Sequence, residues 1–430
     1  MNKQEIKKII ALMKRQVVPA VGCTEPVAVA LCAAGACRML PNKPVKVQVR
    51  ASANIIKNAM GVGIPGTGMI GLPIAVALGA LFGDPGKRLE VLSCACTENV
   101  AEAKKFIDSG AIGISLYENA PAILHIDVTA TDGFSTSHAV ISGSHTNFTV
   151  AELDGTSLIG EHREGQQAQK CDDTTDDPTL DMRTVFEFAT ETPVDQLRFI
   201  LEAKRLNTAA ARLALAGQYG HSLGSTVLTQ GPSMLGDGLM CHAIAYTSAA
   251  CDARMGGAPV AVMSNSGSGN QGITATMPVV VYAEETGADE EHTIRALTLS
   301  HLTSIYIKQS LGCLSALCGC VVASTGASAG IVYLMGGGYR QICAAIKNMV
   351  ANLTGMICDG AKPSCSMKIS SGVSTAMLSA LLAMNGREVT QAEGIVSDDV
   401  DTAIHNLTSI GRESMRETDR LILHIMTHKC

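Results

Sequence analysis

The sequence predicts an α+β protein: a small mixed or antiparallel sheet with helices in the N-terminal part, and a mostly α-helical C-terminal domain. Three observations carry this. Apolar and polar residues alternate in short runs between Val45 and Ala151, the period of half-buried strands. Helical periodicity opens the chain and dominates after residue 182. The composition, with 42 Gly, no Trp and 3% aromatic residues among 430, calls for a core of small side chains and close backbone approach.

Taken in order, Ile6, Ile9, Ile10, Met13 and Val17 share one face of a first helix. Thr24-Glu25-Pro26 starts a second, with a capping hydroxyl, an acid in the first turn and an early proline, and it should reach about Leu40. Val45, Val47 and Val49 alternate with Lys46, Gln48 and Arg50 as a strand, and a Gly-rich stretch follows from Gly61 to Gly71. Residues 89–92 and 123–129 read as strands, Asp132-Gly133 as a turn, and 137–141 and 147–151 as further strands. Residues 156–182, with Asp172, Asp173, Asp176, Asp177 and Asp181, read as an acidic linker between an α+β region (1–155) and a helical domain (183–430). Within that domain Thr192-Pro193 opens a helix expected to pass Ala210, and the last helix should span about 413–427. No internal repeat stands out.

Lys and Arg total 33 against 39 Asp and Glu, a net charge of −6 without a basic block, which argues against a nucleic-acid partner. Three stretches of 25 residues or more lack charge, 58–83, 255–283 and 310–339, but Gly, Pro, Ser, Asn and Gln interrupt them. Without flanking Lys/Arg bias or aromatic belts they read as buried helices and loops, not membrane spans. The N-terminus opens on an amphipathic segment instead of a signal peptide, so a cytoplasmic protein with reduced thiols is expected.

Several motifs are weak. Gly61-x-Gly63-x-x-Gly66 and Gly267-x-Gly269-x-x-Gly272 match the dinucleotide fingerprint by spacing. The first contains Pro65, and the second is followed by Thr274, Thr276 and Pro278, poor helix sequence where the motif needs a helix. Gly326-Ala327-Ser328-Ala329-Gly330 matches a nucleophile elbow, with Asp399 and His405 downstream, but the strands a hydrolase needs before it are missing. His221 reads as a hydrogen-bonded core residue. A Ser hydrolase at Ser328 and a membrane carrier are the rivals from other classes.

The 15 cysteines are more informative. Cys32, Cys37, Cys241, Cys251 and Cys343 sit among small apolar neighbours and read as packing residues. Cys313, Cys318, Cys320, Cys358 and Cys365 fall within 53 residues but form no C-x-x-C, which disfavours zinc ribbons and ferredoxin-type clusters. Three separated thiolates can still hold a 4Fe–4S cluster with one iron open to substrate. Cys23 precedes a helix start, where free N–H groups favour a thiolate, while Glu25 opposes it.

Gly22-Cys23-Thr24-Glu25-Pro26, the run from Lys57-Asn58 to Gly66-Thr67, Leu314-Ser315-Ala316-Leu317-Cys318-Gly319-Cys320, and Cys358-Asp359-Gly360 with Cys365 together carry a resemblance over nearly the whole chain. They resemble the L-cysteine desulfidase family, related to the α chain of bacterial iron–sulfur L-serine dehydratases. The resemblance implies a 4Fe–4S cluster and conversion of L-cysteine to pyruvate, ammonia and sulfide. It gives Cys23 the role of proton acceptor. Cys358 and Cys365 match two cluster ligands, and the third falls to Cys318, with Cys320 and Cys313 as alternatives. It also leaves a place for Cys430, since a C-terminal Cys caps the open iron in some related dehydratases.

A small amino acid is therefore the expected partner, with no nucleic acid and no membrane, in a chain that can form a homo-oligomer. Its carboxylate needs cations or N–H groups, and Lys57, Asn58, Asn265, Asn270 and Lys368 are the candidates. Serine differs from cysteine by one atom, so L-serine dehydration is the near alternative.

Overall fold

A computed structural model describes residues 1–158, 177–312 and 315–428. Helix α1 (Lys3–Gln16) begins with a capping box: the Asn2 side chain accepts from the Glu5 N–H at 2.9 Å, and the Glu5 carboxylate accepts from the Asn2 N–H at 2.9 Å. Strand β1 (Pro19–Val21) leads to α2 (Thr24–Met39), followed by β2 (Lys46–Ala51), α3 (Ala53–Ala59), the short pair β3 (Gly63–Ile64) and β4 (Met69–Ile70), and α4 (Leu72–Phe82). Helix α5 (Thr97–Asp108) and strands β5 (Ile112–Leu116), β6 (His125–Thr131), β7 (Thr136–Ser142), β8 (Phe148–Leu153) and β9 (Thr156–Ser157) complete the N-terminal part.

The main sheet runs β5-β2-β6-β7-β8-β9, with β2 and β5 parallel and the other pairs antiparallel. It is the mixed sheet that the alternation predicts, and β2 buries Val47, Val49 and Ala51 on one face. Helix α2 covers β6 and β7 and is itself covered by α4. Gly79 of α4 lies against Ala30 of α2, where an added Cβ would overlap the Ala30 carbonyl. Gly79→Ala should therefore cost about 1–3 kcal/mol of overpacking, read as a lower denaturant midpoint with unchanged m-value.

One expectation changes here, and one strand was not expected. Residues 89–92 are not a strand but part of a 3₁₀ segment, Pro85–Cys94: Asp84 accepts from the Gly86 N–H at 2.9 Å and Pro85 fixes the entry. Strand β5 goes unmarked in the sequence because only one edge of it meets a partner and its residues are at best half-buried.

The helical body follows: α6 (Met182–Glu191), α7 (Val194–Leu197), α8 (Leu201–Ala216), α9 (Leu223–Gln230), α10 (Pro232–Leu235) and α11 (Leu239–Met255). Strand β10 (Ala261–Met263) pairs antiparallel with β1 and ties this body to the N-terminal part. Then come α12 (Gly269–Thr286), α13 (Glu290–Leu311), α14 (Gly319–Leu334), α15 (Tyr339–Leu353), α16 (Cys365–Met384), α17 (Val400–Ser409) and α18 (Met415–Thr427). The helix expected from Thr192-Pro193 is broken by a 3₁₀ turn at Arg198–Ile200, and the last helix is preceded by a π turn at Ile410–Ser414. Most of the proposed acidic linker, 159–176, lies outside the described residues; Asp181 at its end caps α6.

The segment after Gly272 is helical despite Thr274, Thr276 and Pro278. Ser268 caps it by accepting from the Gln271 N–H at 3.3 Å, and Thr274 and Thr276 donate back to the Asn270 and Gly272 carbonyls at 2.8 and 2.7 Å. Burial between α11, α13 and α14 outweighs the weak propensity. Helix α14 is the buried centre of the bundle, and its Gly326 and Gly330 let α13 approach at the Ser300 and Ala296 carbonyls. Ser328 is fully buried in that helix and donates to the Thr325 carbonyl at 2.7 Å, so the nucleophile-elbow reading falls. Among the described residues one helix, α16, is long and apolar enough to cross a membrane.

Candidate active site

One cleft gathers most of the residues singled out from the sequence. It has a volume of ≈ 250 Å³ and lies where the start of α2, α3, the loop before α12, and the starts of α14 and α16 meet. Its thiol wall is set by backbone pairing. Leu317 and Ile357 form an antiparallel bridge, the Cys318 N–H donates to the Met356 carbonyl at 2.9 Å, and the Cys358 N–H donates to the Ala316 carbonyl at 2.6 Å. Cys318 and Cys358 then sit diagonally across the bridge, within reach of one ligand. Cys365, the first residue of α16, completes the wall.

Cys318 is the N-cap of α14, so two helix N-termini present N–H groups and positive dipole ends beside these thiols. Burial and the neighbouring Cys358 push the Cys318 thiol up to about 12, against Lys368. Burial raises Cys365 as well. Lys368 donates to the Ile357 carbonyl at 2.9 Å and pairs with Asp359, which also pairs with Lys362 at 2.5 Å. Against the effect of its own burial, these two ammonium groups hold Asp359 down to about 2. Among the described residues no three His, Cys, Asp or Glu side chains converge as around a single metal ion.

The opposite wall is Cys23 with its carboxylate. The Cys23 Sγ donates to Glu25 Oε2 at 2.8 Å; Asn58 Nδ2 donates to Glu25 Oε1 at 3.4 Å and to Asn54 Oδ1 at 3.0 Å. Burial first, and then the Glu25 charge, hold the Cys23 thiol well above the usual thiol range, while Arg254 pulls the other way. The helix start alone would favour a thiolate; a site only 5% exposed and a carboxylate in contact reverse that.

The sequence profile of the serine dehydratase alpha chain matches residues 87–424, most of the chain and all the thiol wall. The chain belongs to the serine dehydratase alpha-chain family. That membership places it among serine dehydratase-like lyases. A UPF0597 protein of Phocaeicola vulgatus is 58% identical over 429 residues, covering 99% of both chains. One of Bacteroides fragilis is 58% identical over 431 residues and one of Oleidesulfovibrio alaskensis 45% over 434, each covering 100% of both chains.

Within this family member, Cys23, Asn58, Asn270, Cys318, Cys358, Cys365 and Lys368 all line the cleft. Lys57 also lines it, but its buried ammonium is paired with Asp419 of α18, so it serves to dock that helix on α3 instead of standing open to a ligand. Asn265 is displaced from the expected role: it is fully buried behind the cleft, donating to His301 Nδ1 at 3.1 Å and accepting from Gln271 Nε2 at 3.0 Å. Cys320 also lines the cleft, but its thiol donates to the Lys368 carbonyl at 3.2 Å and packs against Gly372, a difference from Cys318. Cys313 and Cys430 lie outside the described residues.

Sequence reasoning missed Arg254 and His301, whereas Gln271, one of the polar residues of the 265–271 run, was a candidate. Arg254 lines the cleft although only 6% of it is exposed, and its signal was the one Lys or Arg of a long, mostly apolar helix. Gln271 lines the cleft next to Gly319. His301 is held neutral, burial lowering it to about 3, and its Nε2 meets Thr276 Oγ1 at 3.0 Å. With Nδ1 accepting from Asn265, the ring fixes the amide whose oxygen orients Gln271.

Proposed function

We propose that this lyase is an iron–sulfur enzyme that degrades L-cysteine to pyruvate, ammonia and hydrogen sulfide by α,β-elimination. The observation that carries the reading is the single cleft walled by Cys318, Cys358 and Cys365 on one side and by the Cys23–Glu25 pair on the other. The donor set suits a 4Fe–4S cluster. Three cysteines line one cleft, two helix ends and Lys368 stand where they offset the charge of thiolates, and thiols ionise on binding metal. Bound there, such a cluster supplies a Lewis acid to the substrate carboxylate and leaving group.

The chain's own residues then handle the proton. The thiol of Cys23 passes its proton to Glu25 across the 2.8 Å contact, and the resulting thiolate takes the proton from the substrate α carbon. Asn58 holds Glu25 in place for this. Departure of HS⁻ from the β carbon leaves aminoacrylate, which tautomerises to the imine and takes up one water to give pyruvate and ammonia. L-Serine dehydration, in which hydroxide leaves, is the second reading, and the family's name favours it.

Anaerobically purified protein should carry iron and sulfide in equal amounts and release sulfide and pyruvate together from L-cysteine. Pyruvate from L-serine with little turnover of L-cysteine would move the assignment to the second reading. Iron-free protein that cannot be reconstituted would overturn both.

A further inference from the structure

The cleft contains a cation that forms no ion pair among the described residues. Arg254, in the last turn of α11, reaches the cleft beside the loop before α12. Its Nη1 donates to Asn270 Oδ1 at 3.0 Å, but Nε is buried without a hydrogen-bond partner, and no described carboxylate pairs with the guanidinium. The nearest acid in sequence, Asp252, forms no ion pair with it; its Oδ2 accepts from the Gly224 N–H at 3.0 Å. A guanidinium this buried and unpaired is unfavourable unless an anion completes it. Room for it is built in, because a Cβ on Gly269 would overlap Arg254 Nε.

We infer that Arg254 is the anchor for the carboxylate of the substrate, held in place by Asn270 and by the bare backbone of Gly269. The inference rests on the lyase reading for its substrate. A guanidinium gives a carboxylate charge-assisted hydrogen bonds, and with Nη1 taken by Asn270 and Nε closed in against Gly269, Nη2 is the nitrogen left for it. The position also fits the chemistry. Arg254 and Cys23 line the same cleft, so a carboxylate held by Arg254 keeps the substrate in the space that Cys23 faces. The site therefore selects α-carboxylates, and amines such as cysteamine lack the group it holds.

The test uses the holoenzyme. Arg254→Gln should raise the KM for L-cysteine by about 10–150-fold, the span of a hydrogen bond to a charged group, while iron content and visible absorbance stay those of the wild type. A readout independent of turnover is calorimetric titration with L-alanine, an unreactive amino acid: wild type binds it, the variant does not, and alaninamide binds neither. Wild-type affinity of Arg254→Gln for L-alanine would overturn the anchor while leaving the lyase reading intact. Binding of L-alanine that depends on Arg254, with no sulfide or pyruvate released by the wild type, would sink the lyase reading and keep the anchor. Should Arg254→Gln fail to fold, Gly269→Ala displaces the same guanidinium, and an unchanged L-alanine affinity in that variant equally overturns the proposal.

Discussion

Cys358→Ser is expected to yield a colourless protein whose iron content falls far below that of the wild type and whose turnover of L-cysteine is lost. Cys318→Ser and Cys365→Ser should behave alike. The effect exceeds the about 10–100-fold loss of metal affinity that follows from removing a partner behind a ligand, because a thiolate itself is gone. Cys320→Ser is the control. It lies two residues from Cys318, yet its sulfur donates to the Lys368 carbonyl and rests on Gly372, so it should keep its iron. Iron analysis and visible absorbance of the four anaerobic proteins decide the matter. Full iron in Cys358→Ser, or its loss in Cys320→Ser, would mean that the bridge at Leu317 and Ile357 does not define the ligand set.

That contrast also shows how much the sequence discloses. Cys318 and Cys320 stand in one motif, and nothing in their spacing separates them. The separation comes from a bridge between segments some 40 residues apart, which no local pattern encodes. Helices such as α1 and strands such as β2 were legible because periodicity and capping are local. Helix α12 was not, since threonine hydroxyls and burial compensate for weak helix formers. The candidate polar residues divide in the same way. Asn58 and Asn270 reach the cleft, but Asn265 points inward to His301, and Lys57 is taken by Asp419 from the far end of the chain. Arg254 escaped notice because an arginine at a helix end is ordinary until its burial and its unpartnered Nε are seen.

Cys23→Ala should keep its iron and lose turnover by about 10²–10⁴-fold, the usual worth of a positioned proton acceptor. The loss arises at the proton and not at the fold, since Cys23 is the N-cap of α2 without a side-chain capping bond, so the helix start does not depend on it. Glu25→Gln separates the two halves of the pair. Removing the carboxylate takes away the group that receives the Cys23 proton, and also one of the causes that hold the thiol high. Turnover near neutral pH should therefore fall, but the thiol should now titrate lower than in the wild type. Because the thiolate is the active form, the rate of Glu25→Gln should climb as pH rises toward that value, by up to about tenfold per pH unit. Alkylation of the Cys23 thiol, followed against pH, gives the same titration without substrate. A Glu25→Gln enzyme whose rate is flat with pH while its thiol titrates would show that Cys23 does not carry the proton. The same holds for a Cys23→Ala enzyme with wild-type turnover.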